Sequence, residues 1–281
     1  MRSKRFRPAP GTATATCPCT TWLSRKSGSK TSLPVLPRTL FISDLHLTPE
    51  RPEILQLFHA FAEGLDPTEV EGLYILGDLF EAWVGDDEDD PVLRGIVQAL
   101  RALVERGIPV HFMRGNRDFL AGRGFAEASG CHLLEDPACI ELHGRAVLLS
   151  HGDTLCTDDV AYQRFRAQVR DPAWQRALLA RPLAERRRLA AQLREESERS
   201  TAGKRPELMD VNPAAVEAAF RTHGVDLLIH GHTHRPAIHA LTVDGRRCWR
   251  IVLGDWYAQG SVLEADARGT FVLRRFGADA G

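Results

Sequence analysis

The chain has 281 residues and a formal net charge of −1, so no charge excess marks it as a nucleic-acid binder. Its 43 % hydrophobic content is that of a globular chain large enough for one sizeable α/β domain. No apolar run reaches the roughly 18–20 residues of a membrane-spanning helix. The six cysteines, at 17, 19, 131, 139, 156 and 248, are spaced neither as a disulfide framework nor as a zinc knuckle, which fits a reduced, intracellular compartment.

Residues 1–37 are rich in Pro, Ser, Thr, Gly and Arg, contain no acid, and are expected to form a disordered basic extension. The folded domain is expected to span 38–281. It should open with a strand from Arg38 that stops at Asp44-Leu45-His46. Pro52 to Glu63 places Ile54, Leu55, Phe58 and Phe61 at helical spacing. Gly72 to Leu76 reads as a buried strand ending at Gly77-Asp78. The acidic run Asp86 to Asp90 reads as a solvated loop and a helix N-terminus, with the helix following over Pro91 to Glu105. Ile108 to Met113 is a third strand, ending at Arg114-Gly115-Asn116-Arg117-Asp118. Ile140 to Leu142 and Ala146 to Leu149 read as a hairpin across His143-Gly144, running into His151-Gly152-Asp153.

Residues 158–222 contain no strand pattern. They read as three or four helices broken near Asp171-Pro172, Arg181-Pro182 and Lys204-Arg205-Pro206, the last starting at Asn212-Pro213. The cluster Arg186-Arg187-Arg188 reads either as a solvated helix face or as a membrane-facing patch. The run Val225 to Ile229 leads into Gly231-His232-Thr233-His234-Arg235. Asp244-Gly245 then joins two further strands as a hairpin. This order predicts an α/β core with two sheets and a helical insertion at about 158–222.

Five stretches share one layout: an apolar strand, a turn, then metal-type ligands. They are Asp44-x-His46, Gly77-Asp78, Gly115-Asn116-Arg117-Asp118, His151-Gly152-Asp153 and Gly231-His232-x-His234. Sites in α/β proteins lie beyond the carboxyl ends of strands, and residues i and i+2 of an extended segment face the same side. The set of Asp, Asn and His without thiolate suits Mn²⁺, Fe²⁺ or Zn²⁺. Seven ligands exceed the need of one ion, and two ions sharing a carboxylate are the economical reading. Asp118 and Asp153 are expected to orient the ligand turns, and His230 to point away from them. Trp83 and Tyr162 either pack near a nucleotide or cap, or serve packing alone.

These motifs, in this order, resemble those of the calcineurin-like metallophosphoesterases. The resemblance implies a two-sheet α/β sandwich with a helical insertion cap. It also implies one metal held by Asp44, His46 and His234, another by Asn116, His151 and His232, and Asp78 bridging both. Many members carry His after the Asn of the third motif. Arg117 stands here instead, a fixed cation suited to holding a phosphate oxygen. Over about residues 39–276, Phe41 to Leu47, Leu76 to Asp87, Arg114 to Leu120, His151 to Asp159 and Met209 to Pro213 are similar to the diphosphatase family that acts on UDP-2,3-diacylglucosamine.

That similarity implies hydrolysis at the α-phosphorus to UMP and 2,3-diacylglucosamine 1-phosphate in lipid A biosynthesis, by a two-metal activated hydroxide. The implied cofactors are two divalent ions, Mn²⁺ foremost. Asp78, Asn116, Arg117 and His232 are the expected catalytic groups. Asn116, Arg117, Asp159, Ser197, Thr201, Lys204 and His232 are the expected substrate contacts. The implied partners are the lipid substrate and a membrane surface, with peripheral placement at the cytoplasmic face of the bacterial inner membrane, and no nucleic acid. Segment 160–210 agrees: it holds twelve Lys or Arg against seven acids, with Phe165, Trp174, Leu178 and Leu189 among its apolar residues. Two other classes stay open: a phosphoesterase for dinucleotides, nucleic acid or phosphoproteins, and a binding module that kept the fold without chemistry.

Overall fold

The computed structural model describes residues 4–6, 37–202 and 209–277. Its strands are β1 (Lys4–Phe6), β2 (Arg38–Ile42), β3 (Val70–Leu76), β4 (Val110–Met113), β5 (His132–Leu134), β6 (Ala138–Leu142), β7 (Arg145–Ser150), β8 (Leu227–His230), β9 (Ala237–Val243), β10 (Arg246–Val252), β11 (Gly260–Asp266) and β12 (Phe271–Phe276). Its α-helices are α1 (Pro52–Glu63), α2 (Pro91–Glu105), α3 (Arg123–Ser129), α4 (Val160–Val169), α5 (Pro172–Leu179), α6 (Leu183–Ala202) and α7 (Pro213–His223).

Two sheets form, ordered β1-β12-β11-β2-β3-β4-β5 and β6-β7-β8-β10-β9. Strands β2 to β5 run parallel, as do β7, β8 and β10. Parallel strands covered on both faces read as continuous apolar runs, and β2 shows why. Leu40 and Ile42 face α1 and α2, while Phe41 faces the other sheet. Between the sheets, Phe41, Leu76 and Met113 meet Val147, Leu149 and Ile229. Outside the second sheet, Val216 and Phe220 of α7 pack on Leu148 and Leu228. The layers are therefore helix, sheet, sheet, helix.

The helix starts repeat one device. Asp90, Asp171 and Asn212 each precede a proline and accept from the backbone N–H groups of the first turn, which satisfies donors that a helix leaves open. Both expected hairpins close through paired left-handed residues, His143-Gly144 and Asp244-Gly245.

Three details depart from the sequence reading. Lys4–Phe6, inside the stretch expected to be disordered, pair antiparallel with β12; the remainder of 1–36 lies outside the described residues. The helices of 158–222 split in role, since α7 belongs to the sandwich and only α4, α5 and α6 stand over the strand ends. The acidic run, read as a solvated loop, and the arginine cluster, read as a solvated helix face or a membrane-facing patch, meet each other. Arg186 forks onto Asp87, and Arg187 reaches Glu88 and Asp89. Asp90 caps α2 as expected.

Candidate metal centre

All five ligand turns follow the carboxyl ends of parallel strands: β2, β3, β4, β7 and β8. Their backbones leave the sheet in an uncommon way. Asp44, His46, Asp78, His232 and His234 have φ of 56°, 49°, 53°, 66° and 53°. Apart from the two hairpin residues, these are the only non-glycine positive φ values among the described residues. Such conformations cost of order 1 kcal/mol or more each and cluster where function over-determines geometry. Glycine is required beside them. A Cβ on Gly115 would collide with the carboxylate and backbone of Asp78, and one on Gly231 with Asp44 and Ser43.

The side chains converge. Asp44, His46 and His234 bring one ligand atom each into a common cluster, as do Asp44, Asp78 and His151. Asp78 spans the two halves: Oδ2 lies 3.8 Å from His46 Nε2, and Oδ1 lies 3.8 Å from His151 Nε2. Asn116 Oδ1 sits 2.9 Å from His151 Nε2 and 3.0 Å from His232 Nδ1. Asp44 Oδ2 accepts from Ser43 Oγ and from the His232 backbone N–H. Its Oδ1 is buried without a hydrogen-bond partner, 3.4 Å from His234 Nε2.

This set fits divalent cations. His151 donates from Nδ1 to the Leu76 carbonyl at 2.9 Å. In the neutral ring Nε2 is then a bare lone pair aimed at other acceptors. The Nε2 atoms of His46 and His234 face each other at 3.4 Å; two nitrogens each ~2.1 Å from one ion lie about that far apart. A buried group of facing acceptors calls for positive charge. Burial alone would lower the pKa of His151, but the Asp78, Asp153 and Asp44 carboxylates push it up to about 9. Burial would raise that of Asp44, yet its close polar contact and charge interaction with His234 hold it below the carboxylate range.

Other groups hold these ligands. Asp118 is fully buried and accepts from the N–H groups of Gly115 and Leu79, each at 2.7 Å. Burial and the neighbouring Asp78 charge push it up to about 6. Asp153 accepts from Tyr162 Oη and Arg166 Nε, both at 2.8 Å. His230 turns away, with Nε2 3.1 Å from Arg250. Three groups were not singled out from the sequence. Glu81 Oε2 stands 3.2 Å from His46 Nδ1, off the line of a regular hydrogen bond. Tyr257, just past β10, stacks on His46 with ring centroids 5.4 Å apart. Arg170 donates to the carbonyl oxygen of Gly115 at 2.9 Å. Position after a strand was the one signal available for Tyr257.

A cavity of about 780 Å³ opens onto this cluster. Its inner end holds His46, Asp78, Asn116 and Arg117; Trp83, Phe119, Phe165, Trp174, Leu178 and Leu189 make its apolar walls. Arg117 Nε is buried without a hydrogen-bond partner. Asp159, the N-cap of α4, and Ser197 of α6 line the same cavity, as do Trp83 and Tyr162. Lys204 and the side chain of Thr201 lie outside the described residues.

Comparison with known proteins adds two findings. The calcineurin-like phosphoesterase profile matches residues 37–236. A protein of Stenotrophomonas maltophilia strain R551-3 named UDP-2,3-diacylglucosamine hydrolase is 56 % identical over 238 residues, 82 % of this chain and 96 % of that protein. One of the same name from Xanthomonas axonopodis pv. citri is 53 % identical with the same coverage.

Proposed function

The chain belongs to the calcineurin-like phosphoesterases, and from that premise we propose that it hydrolyses the pyrophosphate bond of UDP-2,3-diacylglucosamine at the α-phosphorus. The products are UMP and 2,3-diacylglucosamine 1-phosphate. The observation that carries the reading is the junction of two unlike surfaces. A charged cluster suited to cations and phosphate forms the inner end of the same cavity whose walls are apolar and aromatic. A lipid-linked pyrophosphate matches both ends; a dinucleotide or phosphopeptide would leave the apolar walls without a partner.

In this reading Asp44, His46 and His234 hold one ion, Asn116, His151 and His232 the other, and Asp78 serves both. Mn²⁺ is the proposed metal, on the strength of the all-oxygen and imidazole donor set. When bound, two divalent ions activate water as the nucleophile and neutralise charge on the phosphoryl oxygens. The rest is the work of this chain's side chains. Arg117 supplies a guanidinium whose planar fork can grip the pyrophosphate. Its backbone N–H donates to Asp78 Oδ1 at 2.8 Å, so the phosphate-gripping residue and the shared carboxylate are fixed together. The turn 115–118 is braced from below by Asp118 and from above by Arg170. Asp159 and Ser197, which line the cavity, are the proposed contacts to the sugar headgroup, and Thr201 and Lys204 complete that set by sequence position.

Peripheral membrane attachment at the cytoplasmic face is part of the same proposal. No helix among the described residues is long and apolar enough to cross a membrane. The cavity helices instead expose Val160 and Leu179 among the exposed arginines Arg164, Arg176, Arg181 and Arg188. Apolar residues set among cations suit an anionic lipid surface.

The test is hydrolysis of purified UDP-2,3-diacylglucosamine beside bis(4-nitrophenyl) phosphate, with Mn²⁺ and with chelator. Chelator-sensitive release of UMP is the expected result. Cleavage of the nitrophenyl ester alone would remove the lipid assignment and keep the metal centre.

A further inference from the structure

We propose that the contact of Arg186 and Arg187 with the loop 83–89 is a specificity latch, fixing the width of the apolar cavity and thereby the length of acyl chain accepted. The inference rests on the lipid reading above.

Helix α6 lines the cavity through Leu189 and Leu193, and the loop lines it through Trp83 and Val84. Part of its hold is apolar, since Leu189 packs against the core beside the first sheet. Its sequence, LAERRRLAAQLREESERSTA, contains three leucines and nine charged residues, too few apolar groups to dock it by burial alone. Arg186 adds a directional anchor. It is only 3 % exposed. Its Nε donates to the Arg181 carbonyl at 3.0 Å, Nη1 to the Val84 carbonyl at 2.6 Å and to Asp87 Oδ1 at 2.8 Å, and Nη2 to Asp87 Oδ2. Each of its three nitrogens is engaged, and the fork has one geometry. Arg187 adds Glu88 and, at 2.5 Å, Asp89.

The loop is built around that guanidinium. Gly85 has φ of +142°, and a Cβ there would collide with Arg186 Nη1, meet Asp87 Oδ1 at 2.9 Å and meet Leu179 at 3.0 Å. The core side of the loop is equally fixed. Asp86 accepts from Trp83 Nε1 at 3.2 Å and from the N–H groups of Gly122 and Gly124 at 3.0 and 2.8 Å. A purely apolar wall would settle at whatever spacing its contents allow. A directional fork between a rigid loop and the helix sets one spacing, and so one chain length.

Asp87 does not line the cavity, so Asp87→Ala opens the latch without touching the centre. In the metal-loaded full-length protein we expect hydrolysis of bis(4-nitrophenyl) phosphate within about twofold of wild type. KM for the preferred UDP-diacylglucosamine should rise about tenfold, the scale of losing one hydrogen-bonded charge contact. The ratio of kcat/KM between long-chain and short-chain substrates should collapse toward one. Arg186→Ala should shift the same ratio, and the double variant no further than Arg186→Ala alone, as one shared interaction requires. Amides of residues 183–193 should exchange with solvent at least about tenfold faster in Asp87→Ala. An unchanged chain-length ratio, or additive single effects, would overturn the latch. Should wild type cleave only the nitrophenyl ester, the lipid reading fails. Amide exchange then judges the docking by itself: unchanged protection of α6 overturns it, and faster exchange leaves the latch standing for another apolar substrate.

Discussion

Asp118 Oδ2 accepts a hydrogen bond from the backbone N–H of Leu79 at 2.7 Å, joining two turns that lie 39 residues apart in sequence. Its Oδ1 accepts from Gly115, so one carboxylate closes the end of β4 and braces the end of β3. Asp118→Ala leaves buried N–H groups without acceptors, which destabilises by about 2–4 kcal/mol. The expected outcome is a lower urea midpoint together with weaker Mn²⁺ binding by calorimetry. Unchanged ion affinity would separate Asp118 from the centre.

Asp78→Ala and His151→Ala are each expected to reduce nitrophenyl ester hydrolysis by at least about a thousandfold, given the several kcal/mol that such charge stabilisation supplies. Circular dichroism should stay native, and metal analysis should show fewer ions per chain. Hydrolysis near the wild-type rate in either variant would dismiss the assigned site.

Glu81→Gln keeps the shape of the side chain and removes its charge beside His46. Groups that orient a ligand imidazole change ion affinity by about 10–100-fold. Activity should therefore fall at low Mn²⁺ and recover as Mn²⁺ is raised. A deficit that persists at saturating ion would point to a role for Glu81 other than holding His46.

Removing metal should lower thermal stability, because Asp44 and Asp78 are buried carboxylates whose charge the ions offset. Ligand at a hundred times its dissociation constant adds about 2.7 kcal/mol. A melting scan with chelator and with graded Mn²⁺ should show the midpoint climbing with ion concentration. An invariant midpoint would mean that the cluster is satisfied by its own protons.

Much of the arrangement was legible in the chain, since apolar runs ending in Asp, Asn or His name both the strands and the turns that converge on the cluster. Asp244-Gly245 and His143-Gly144 announced their hairpins because Gly tolerates the left-handed turn. The residues that escaped notice did so for identifiable reasons. Glu81 and Tyr257 carry no spacing signal; only the packing of their turns brings them to His46. The Arg186–Asp87 fork joins residues 99 apart, and each partner alone resembles an ordinary solvated charge. Sheet order escaped for the same reason. Antiparallel β11 lies next to β2 although 217 residues separate Ile42 from Gly260, and no local pattern encodes such a pairing.

The left-handed backbone at Asp44, His46, Asp78, His232 and His234 bears on how such a protein would decay. Glycine relaxes that conformation at every one of the five positions, and asparagine tolerates it better than histidine does. The replacements that relieve the backbone are thus the ones that delete the ligands, and a search for thermostability blind to turnover would select them. In a descendant released from its chemistry, Gly and Asn should accumulate at these five turns while the strands beneath persist. The wear would fall on the corners of the sheet first, and the order of loss would record that a metal centre had once been there.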